Sequence, residues 1–124
     1  MIDYRDPVPP IIQLLNATFE NRFNIYGNLF PSSVSLPAVL VRQAGGNGYY
    51  RIQLLARARE DITAMAILID VMNYLERTGQ FMSGIRVKWV ERESNPIPAI
   101  DEDSGLPEAW CYMRIEALES GKET

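Results

Sequence analysis

Residues 37–78 contain the stretch that most constrains the fold of this chain. An apolar, β-branched run at residues 38–42 leads into a glycine-rich turn at residues 45–48, after which residues 49–57 alternate between two sets of side chains. Because glycine tolerates the positive φ angles of tight turns, this order predicts a β-hairpin. Negative charge followed by an apolar stripe then predicts an amphipathic helix over residues 60–78.

Side-chain alternation predicts which face of the hairpin is buried, since successive residues of a strand point to opposite sides. The apolar set of the second strand, expected to face the core, is Tyr50, Ile52, Leu54 and Ala56. The opposite, amphipathic set is Tyr49, Arg51, Gln53, Leu55 and Arg57. In the helix that follows, the stripe expected to face the core contains Ile62, Met65, Ile69 and Met72, flanked by Ala66, Leu68 and Leu75.

The rest of the chain alternates between regular elements and polar or proline-rich connections. Paired prolines open a predicted helix of about three turns, in which Ile11, Leu14 and Leu15 share an apolar face. Further strands are predicted at residues 23–29, 83–93 and 109–118. Loops are expected at residues 31–37 and 94–108, and flexible ends at residues 1–6 and 119–124.

These elements predict an α+β fold in the order α-β-β-β-α-β-β. We expect a single domain over residues 1–124, built as two layers, with a mostly antiparallel four- to five-stranded sheet and two helices on one of its faces. The other sheet face is then left partly uncovered. Its content of Arg, Tyr and Trp is typical of protein interfaces.

The composition excludes several classes of function. With 12 basic against 16 acidic residues, the net charge of −4 disfavours a duplex-DNA binder, whose affinity comes largely from phosphate neutralisation. The absence of histidine removes Ser-His-Asp and Cys-His nucleophile pairs. The single cysteine, Cys111, allows no disulfide within the chain and cannot form a structural zinc site alone. We expect it to be a small buried hydrophobe.

No apolar run of the sequence approaches the roughly 20 residues of a membrane span, and its start lacks the pattern of a signal peptide. We therefore expect a protein that is made in the cytoplasm, stays soluble and has no membrane partner.

The acidic run Asp101-Glu102-Asp103, followed by a serine and a glycine, has the carboxylate density of a calcium loop. The spacing does not match an EF-hand, because the glycine comes one position early and Cys111 stands where the closing glutamate would be. A solvated turn is the simpler interpretation, with an electrostatic contact to a basic neighbour as the alternative. A small carboxylate-dependent, metal-binding enzyme is the competing hypothesis from another class.

The glycine-rich turn does not match a nucleotide-binding loop, since no helix follows it directly and the Lys-Ser/Thr of a P-loop is missing. A hairpin tip is expected instead, either mobile or ordered on contact with a partner. We assign no catalytic, cofactor-binding or metal-binding residue, and we expect no cofactor.

Arginine and tyrosine interleave around the hairpin. The residues concerned are Arg42, Arg51, Arg57, Arg59, Tyr49 and Tyr50. Single-strand nucleic-acid binders show the same interleaving, but the overall acidity of the chain disfavours that function. Ion pairing across an oligomer interface explains these residues with fewer assumptions, and a merely solvated strand face is the remaining interpretation.

Four segments carry a resemblance to a known family: LPAVLVRQAGG, YYRIQLLARARED, ITAMAILIDVMNYLE and GIRVKWVERESNPIPAIDEDSGLPEAWCYMRIEAL. Behind a short N-terminal helix, they resemble the tail terminator proteins of long-tailed, non-contractile bacteriophages, especially those of actinobacterial hosts. The resemblance covers nearly the whole chain and rests on element order, the hairpin-to-helix junction and the proline-acidic-aromatic final stretch. Head-closure and tail-completion proteins of the same particle are the alternative families.

The resemblance implies a non-enzymatic virion protein, usually a homo-hexameric ring, that caps the tail tube, ends its polymerisation and joins the tail to the neck. The implied partners are the major tail tube protein and a head-closure or neck protein, at the tail-neck junction, after assembly in the host cytoplasm. Residues expected at the subunit interface are Arg42, Arg51, Arg57, Arg59, Asp101, Glu102, Asp103, Trp110, Tyr112 and Arg114. Residues expected to contact the tube or neck are Gly45, Gly46, Asn47, Gly48 and Tyr49.

Overall fold

The computed structural model describes residues 4–118, which fold into two α-helices and a six-stranded, mostly antiparallel sheet. The elements are α1 (Val8–Phe19), β1 (Asn24–Gly27), β2 (Ala38–Gln43), β3 (Tyr50–Arg57), α2 (Asp61–Thr78), a 3-10 turn (Gly79–Phe81), β4 (Val87–Arg92), β5 (Ile97–Ile100) and β6 (Pro107–Ala117). The predicted α+β class and mostly antiparallel sheet are confirmed, and the sheet has one strand more than expected.

The sheet is open, with the strand order β1-β2-β3-β6-β4. The pair β1 and β2 is parallel, and the other pairs are antiparallel. On the side away from β3, the long strand β6 pairs with β4 through residues 113–117 and with β5 through residues 107–110. The two short edge strands β5 and β4 therefore lie end to end along β6.

The predicted hairpin is confirmed by the antiparallel pairing of β2 with β3, from Ala38 opposite Arg57 to Gln43 opposite Ile52. Beyond these strands, the Ala44 amide donates to the Arg51 carbonyl at 2.8 Å. The apolar set of β3 is buried as expected, while the alternate residues are partly exposed. Period-two alternation was thus sufficient to orient this strand.

One hydrophobic core joins both helices to the buried side chains of the strands. From α1 it receives Val8, Ile11, Leu15 and Phe19. From α2 it receives Ala64, Ile67, Leu68, Val71, Met72 and Leu75. Within residues 4–118, neither helix combines the length and apolar composition that crossing a membrane requires.

The apolar stripe predicted to bury α2 was only partly right: its flanking residues Leu68 and Leu75 are fully buried. Met72 is buried, but Ile62 is 78% exposed and Ile69 is 38% exposed. The helix carries apolar side chains around more than half of its circumference, so its periodicity fits two overlapping stripes. Packing selects the stripe that begins at the fully buried Ala64, whose small side chain allows a close approach to the sheet.

The strand predicted at residues 83–93 is shorter, and its faces differ from the prediction. Its register against β6 shifts between Val87 and Trp89, as at a β-bulge. Because a bulge inserts one extra residue, Val87 and Val90 are both buried, whereas Trp89 is 39% exposed. Uninterrupted alternation would place Val87 and Trp89 on one face and Val90 on the other.

The segment predicted as a loop over residues 94–108 contains β5, and β6 begins at Pro107, two residues earlier than expected. The Asp101 amide donates at 2.9 Å to the carbonyl of Leu106, the residue just before β6. Because successive amides of a strand point in opposite directions, the amide position of Pro98 faces the open edge of β5. Proline has no N–H to donate, and at this edge no hydrogen bond to β6 is lost. An edge position therefore accommodates a proline that argued against a strand.

The ends expected to be flexible were residues 1–6 and 119–124, of which residues 1–3 and 119–124 lie outside the described residues. The Tyr4 hydroxyl donates to the Gln43 side chain. The Arg5 amide donates to the Tyr50 hydroxyl at 3.2 Å, and Asp6 accepts from the Val8 amide at 3.0 Å. Residues 4–6 thus connect the start of α1 to the hairpin.

Candidate interaction surface

The sheet face opposite the core carries the arginine and aromatic side chains predicted at a subunit interface, and we call it the open face. Side chains from β3 and β6 stand next to one another there, because Gln53 pairs with Tyr112 and Leu55 with Trp110. The Trp110 and Tyr112 rings contact each other edge to face, with centroids 5.3 Å apart. Both residues are partly exposed.

Two arginines of the open face, Arg51 and Arg114, lie directly opposite each other on β3 and β6. Like charges at such a pair are destabilising unless each is neutralised. Arg51 donates to Glu93 at 2.7 Å, and Arg114 donates to Glu116 at 2.6 Å. These hydrogen bonds are the main cause that raises the pKa of each guanidinium.

Each of these arginines also lies over an aromatic ring. The guanidinium carbon of Arg51 is 3.8 Å from the centre of the Tyr112 ring, and that of Arg114 is 3.9 Å from the Tyr49 ring. Such cation–π contacts fix flat, partly apolar groups side by side. The open face is therefore an ordered layer of arginine and aromatic groups, suited to contact with another protein surface.

Arg57 lies at the end of β3 and forms the most buried ion pair of this face. It reaches Glu108 at 2.7 Å, with side-chain exposures of 15% and 9%, and it reaches Asp101 at 3.4 Å. Its guanidinium carbon also lies 4.4 Å from the centre of the Phe30 ring. Arg57 and Asp101, predicted at contacts between copies, are thus partners within one chain.

The acidic run forms the turn between β5 and β6. Asp101 accepts from the Ser104 hydroxyl at 2.6 Å and from its amide at 3.0 Å, which lowers the pKa of the carboxyl together with nearby Arg57. Glu102 and Asp103 are exposed. Among residues 4–118, no group of three or more Asp, Glu or Cys side chains is arranged to hold a metal ion.

Arg42 and Arg59 are exposed, but they lie apart. Arg42 is near the tip end of β2 and pairs with Gln53. Arg59 comes after β3 and lines a depression with Glu60, Pro98 and others. The structure therefore does not bring all the predicted arginines into one cluster, and the interface prediction for each of them stays a prediction.

The hairpin tip contains the residues predicted to contact the tube or neck. Gly45, Gly46 and Gly48 all have positive φ angles. These glycines and Asn47 are exposed, whereas Tyr49 is partly buried under the Arg114 guanidinium. The tip is thus an exposed loop whose base is attached to the open face.

Cys111 is fully buried on the core side of β6, as predicted. Burial raises the pKa of its thiol to about 12, since a thiolate would lose its hydration there.

A second surface, which the sequence reasoning missed, lies where α2 begins beside β5. It comprises two adjoining depressions of about 830 and 420 Å³ that share Asp61, Pro98 and Ala99. Their other lining residues are Arg59, Glu60, Ile62, Met65, Ala66, Ile69, Ile100, Pro107 and Glu108. We call this surface the α2 groove. The sequence could have indicated this surface, because α2 contains more apolar residues than its single buried face can account for.

No family model matches the sequence, and no curated protein is significantly similar to it.

Proposed function

We propose that this chain is a structural, non-enzymatic subunit of a phage tail terminator, which assembles into a closed ring, caps the tail tube and joins the tail to the neck. The observation that carries the proposal is the open face, where arginine and aromatic groups are ordered but remain partly exposed. The resemblance described above supplies the identity of the assembly.

The open face carries aromatic side chains that no element of the chain fully covers. Covering partly exposed Trp and Tyr side chains with a partner lowers the free energy of the complex. These residues are also enriched among those that contribute most to binding at protein interfaces. A two-layer arrangement, with both helices covering the same sheet face, would leave this open face as the surface offered to partners.

A ring also requires different surfaces on one subunit, because each copy meets its two neighbours through unlike patches. The open face with Arg42, the Arg59 junction and the acidic turn are assigned to contacts between copies. The exposed glycine tip is assigned to the tube or neck, since a loop at the end of a long hairpin can reach beyond the ring.

The test is a tube-capping experiment. Purified protein is added to the co-encoded tail tube protein as it polymerises, and negative-stain images are used to measure tube length and to inspect tube ends. We expect a ring at one end of each tube, and tubes that shorten as the concentration of the chain rises. Unchanged lengths with bare ends would contradict the proposal.

A matched pair of variants makes the test specific. Arg42→Gln changes an exposed arginine of the open face and is expected to weaken capping. Arg22→Gln changes another exposed arginine, whose partner Asp70 lies outside the assigned surface, and this variant is expected to cap normally. If the protein binds isolated heads or neck complexes and ignores tubes, the head-closure or tail-completion alternative replaces the terminator.

A further inference from the structure

The α2 groove lies between a helix and the edge strand β5. Its apolar lining includes Ile62 and Ile69 of α2 and Ile100 of β5, which are 78%, 38% and 69% exposed. Helix α2 packs mainly against β3, β4 and β6, so that β5 lies beside the helix with one side uncovered. Contiguous exposed apolar surface of this kind marks sites of interaction.

The pairing of β5 with β6 shows which β5 side chains point into the groove. Ile100 pairs with Pro107, and Pro98 pairs with Ala109, which is buried in the core. Paired residues of neighbouring strands share a face of the sheet, as do residues two apart on one strand. Pro98 and Ile100 therefore point to the side on which α2 lies. One wall of the groove is thus made by alternate residues of a strand.

The outer edge of β5 has main-chain groups that can pair with a further strand. Within residues 4–118, β5 pairs with β6 and with no other strand. The Asp101 amide points toward β6, where it donates to the Leu106 carbonyl, so the amide and carbonyl of Ile100 point outward. The Pro98 carbonyl also points outward, although proline supplies no N–H. This edge therefore offers one donor and two acceptors beside an apolar groove.

The ionisable side chains that line the groove carry an excess of negative charge. Glu108 is matched by Arg57 at 2.7 Å. Of the remaining lining residues, Glu60 and Asp61 are acidic and Arg59 is basic, and all three are exposed. A basic group on the occupant would therefore be complementary.

We propose that the α2 groove binds an extended segment of a partner protein, which adds to β5 as a further strand. The backbone of the segment exchanges hydrogen bonds with Ile100 and donates one to the Pro98 carbonyl. Its apolar side chains, at every second position, cover Ile62 and Ile69, and a flanking basic residue lies near the two exposed carboxylates. In strand addition, main-chain hydrogen bonds provide affinity and alternate side chains provide specificity. This docking site is additional to the proposed ring and does not depend on it.

Two other occupants fit the groove less well. A partner helix could cover the apolar side chains, but its own backbone groups are paired internally and would leave the edge of β5 unpaired. In a two-fold contact between copies, the same acidic groups of both grooves would meet, and like charges disfavour that arrangement.

The test is selection from a displayed library of random peptides of about ten residues, the length of a long strand, on the immobilised full-length protein. Peptides that also bind Ile62→Asp are removed, and the remaining ones are synthesised and their binding is measured in solution. Ile62 is exposed, so this change leaves the core intact. The matched control is Leu29→Asp, because Leu29 is 76% exposed and does not line the groove.

We expect the selected peptides to carry apolar residues at every second position and a flanking Lys or Arg. They should bind Ile62→Asp about tenfold more weakly than wild type, while Leu29→Asp binds like wild type. Methylation of alternate backbone nitrogens of the peptide should weaken binding for one set and spare the other, because one edge of the added strand faces β5. Hydrogen exchange of the Ile100 amide should slow when the peptide binds.

Apolar residues spaced three and four apart, or equal effects of the two methylated sets, would show that a helix or an irregular segment binds, and would overturn the proposal. A library that yields no peptide able to distinguish wild type from Ile62→Asp would overturn it too, whether the groove stays empty or is filled by another copy or another part of the chain. Tube capping together with that result would leave the terminator function standing. Strand-like peptides without tube capping would leave the docking site standing and contradict the terminator function.

Discussion

Gly46 determines the shape of the hairpin tip. Its φ angle is +100°, and an added Cβ would lie 2.5 Å from the carbonyl oxygen of Tyr49. A side chain at this position would therefore meet both an unfavourable backbone conformation and a fixed backbone atom. Gly48 offers a comparison, because its φ angle is +83° and nothing lies within 4 Å of an added Cβ.

Gly46→Ala is expected to lower the free energy of unfolding by about 2 kcal/mol or more, since left-handed strain alone costs about 1–2 kcal/mol and the overlap adds to it. Gly48→Ala is expected to lose only the strain contribution, about 1 kcal/mol. Urea unfolding of both variants measures the difference. Equal losses would show that the close approach to Tyr49 does not constrain the tip.

The burial or turn position of a single residue was predictable where one local rule determines it. The glycine density predicted a tip, and the alternation of β6 predicted the burial of Cys111. The partners of Arg57 were not predictable, because Glu108 and Asp101 lie more than 40 residues away in sequence and meet it only through the pairing of β3, β5 and β6. The candidate site as a set of contacts needed the tertiary structure.

At the scale of elements, one polar cluster attaches β4 to α2. Arg92 of β4 donates to Glu76 of α2 through its Nε at 3.0 Å and through its backbone amide at 2.9 Å. Its Nη2 donates to Asn73 at 2.8 Å. These bonds lower the pKa of Glu76 below its ordinary value of 4.5, the Arg92 side-chain hydrogen bond being the largest cause.

Glu76→Gln is expected to lower the free energy of unfolding by about 1 kcal/mol near pH 7, allowing for partial solvent screening of the pair. Because the folded-state pKa of Glu76 is lowered, its contribution is present above the ordinary value and is lost as pH falls through the folded-state pKa. Wild type and variant should therefore converge in stability in acid, as thermal or urea unfolding at several pH values would show.

The matched control for that prediction is Asp70→Asn. The Asp70 and Arg22 side chains are 48% and 49% exposed, so their ion pair at 2.9 Å is expected to contribute less than about 0.5 kcal/mol. A Glu76→Gln loss no larger than the Asp70→Asn loss, or one unchanged between neutral and acid pH, would contradict the role given to the cluster.

Elements were predictable where one period fits one buried face, as in β3. The face of α2 was not, because two apolar stripes overlap on it and only packing chooses between them. The faces of β4 depend on a bulge, and β5 is hidden by a proline that an edge strand tolerates. The two residues of the predicted stripe that are exposed, Ile62 and Ile69, line the α2 groove.

At the scale of the whole molecule, the fold is an open sheet with both helices in one core and with two solvent-facing surfaces, the open face and the α2 groove. Their residues are far apart in sequence, which is why composition indicated an interface without locating it. The presence of both surfaces favours the hypothesis that this chain is a subunit of an assembly.

Native mass spectrometry of the purified protein over a range of concentrations determines whether the chain assembles into a ring. We expect a closed oligomer whose mass is a single multiple of 14.1 kDa, with six copies implied by the resemblance, either for the protein alone or once tail tubes are added. A mass of 14.1 kDa at every concentration, with and without tubes, would contradict it.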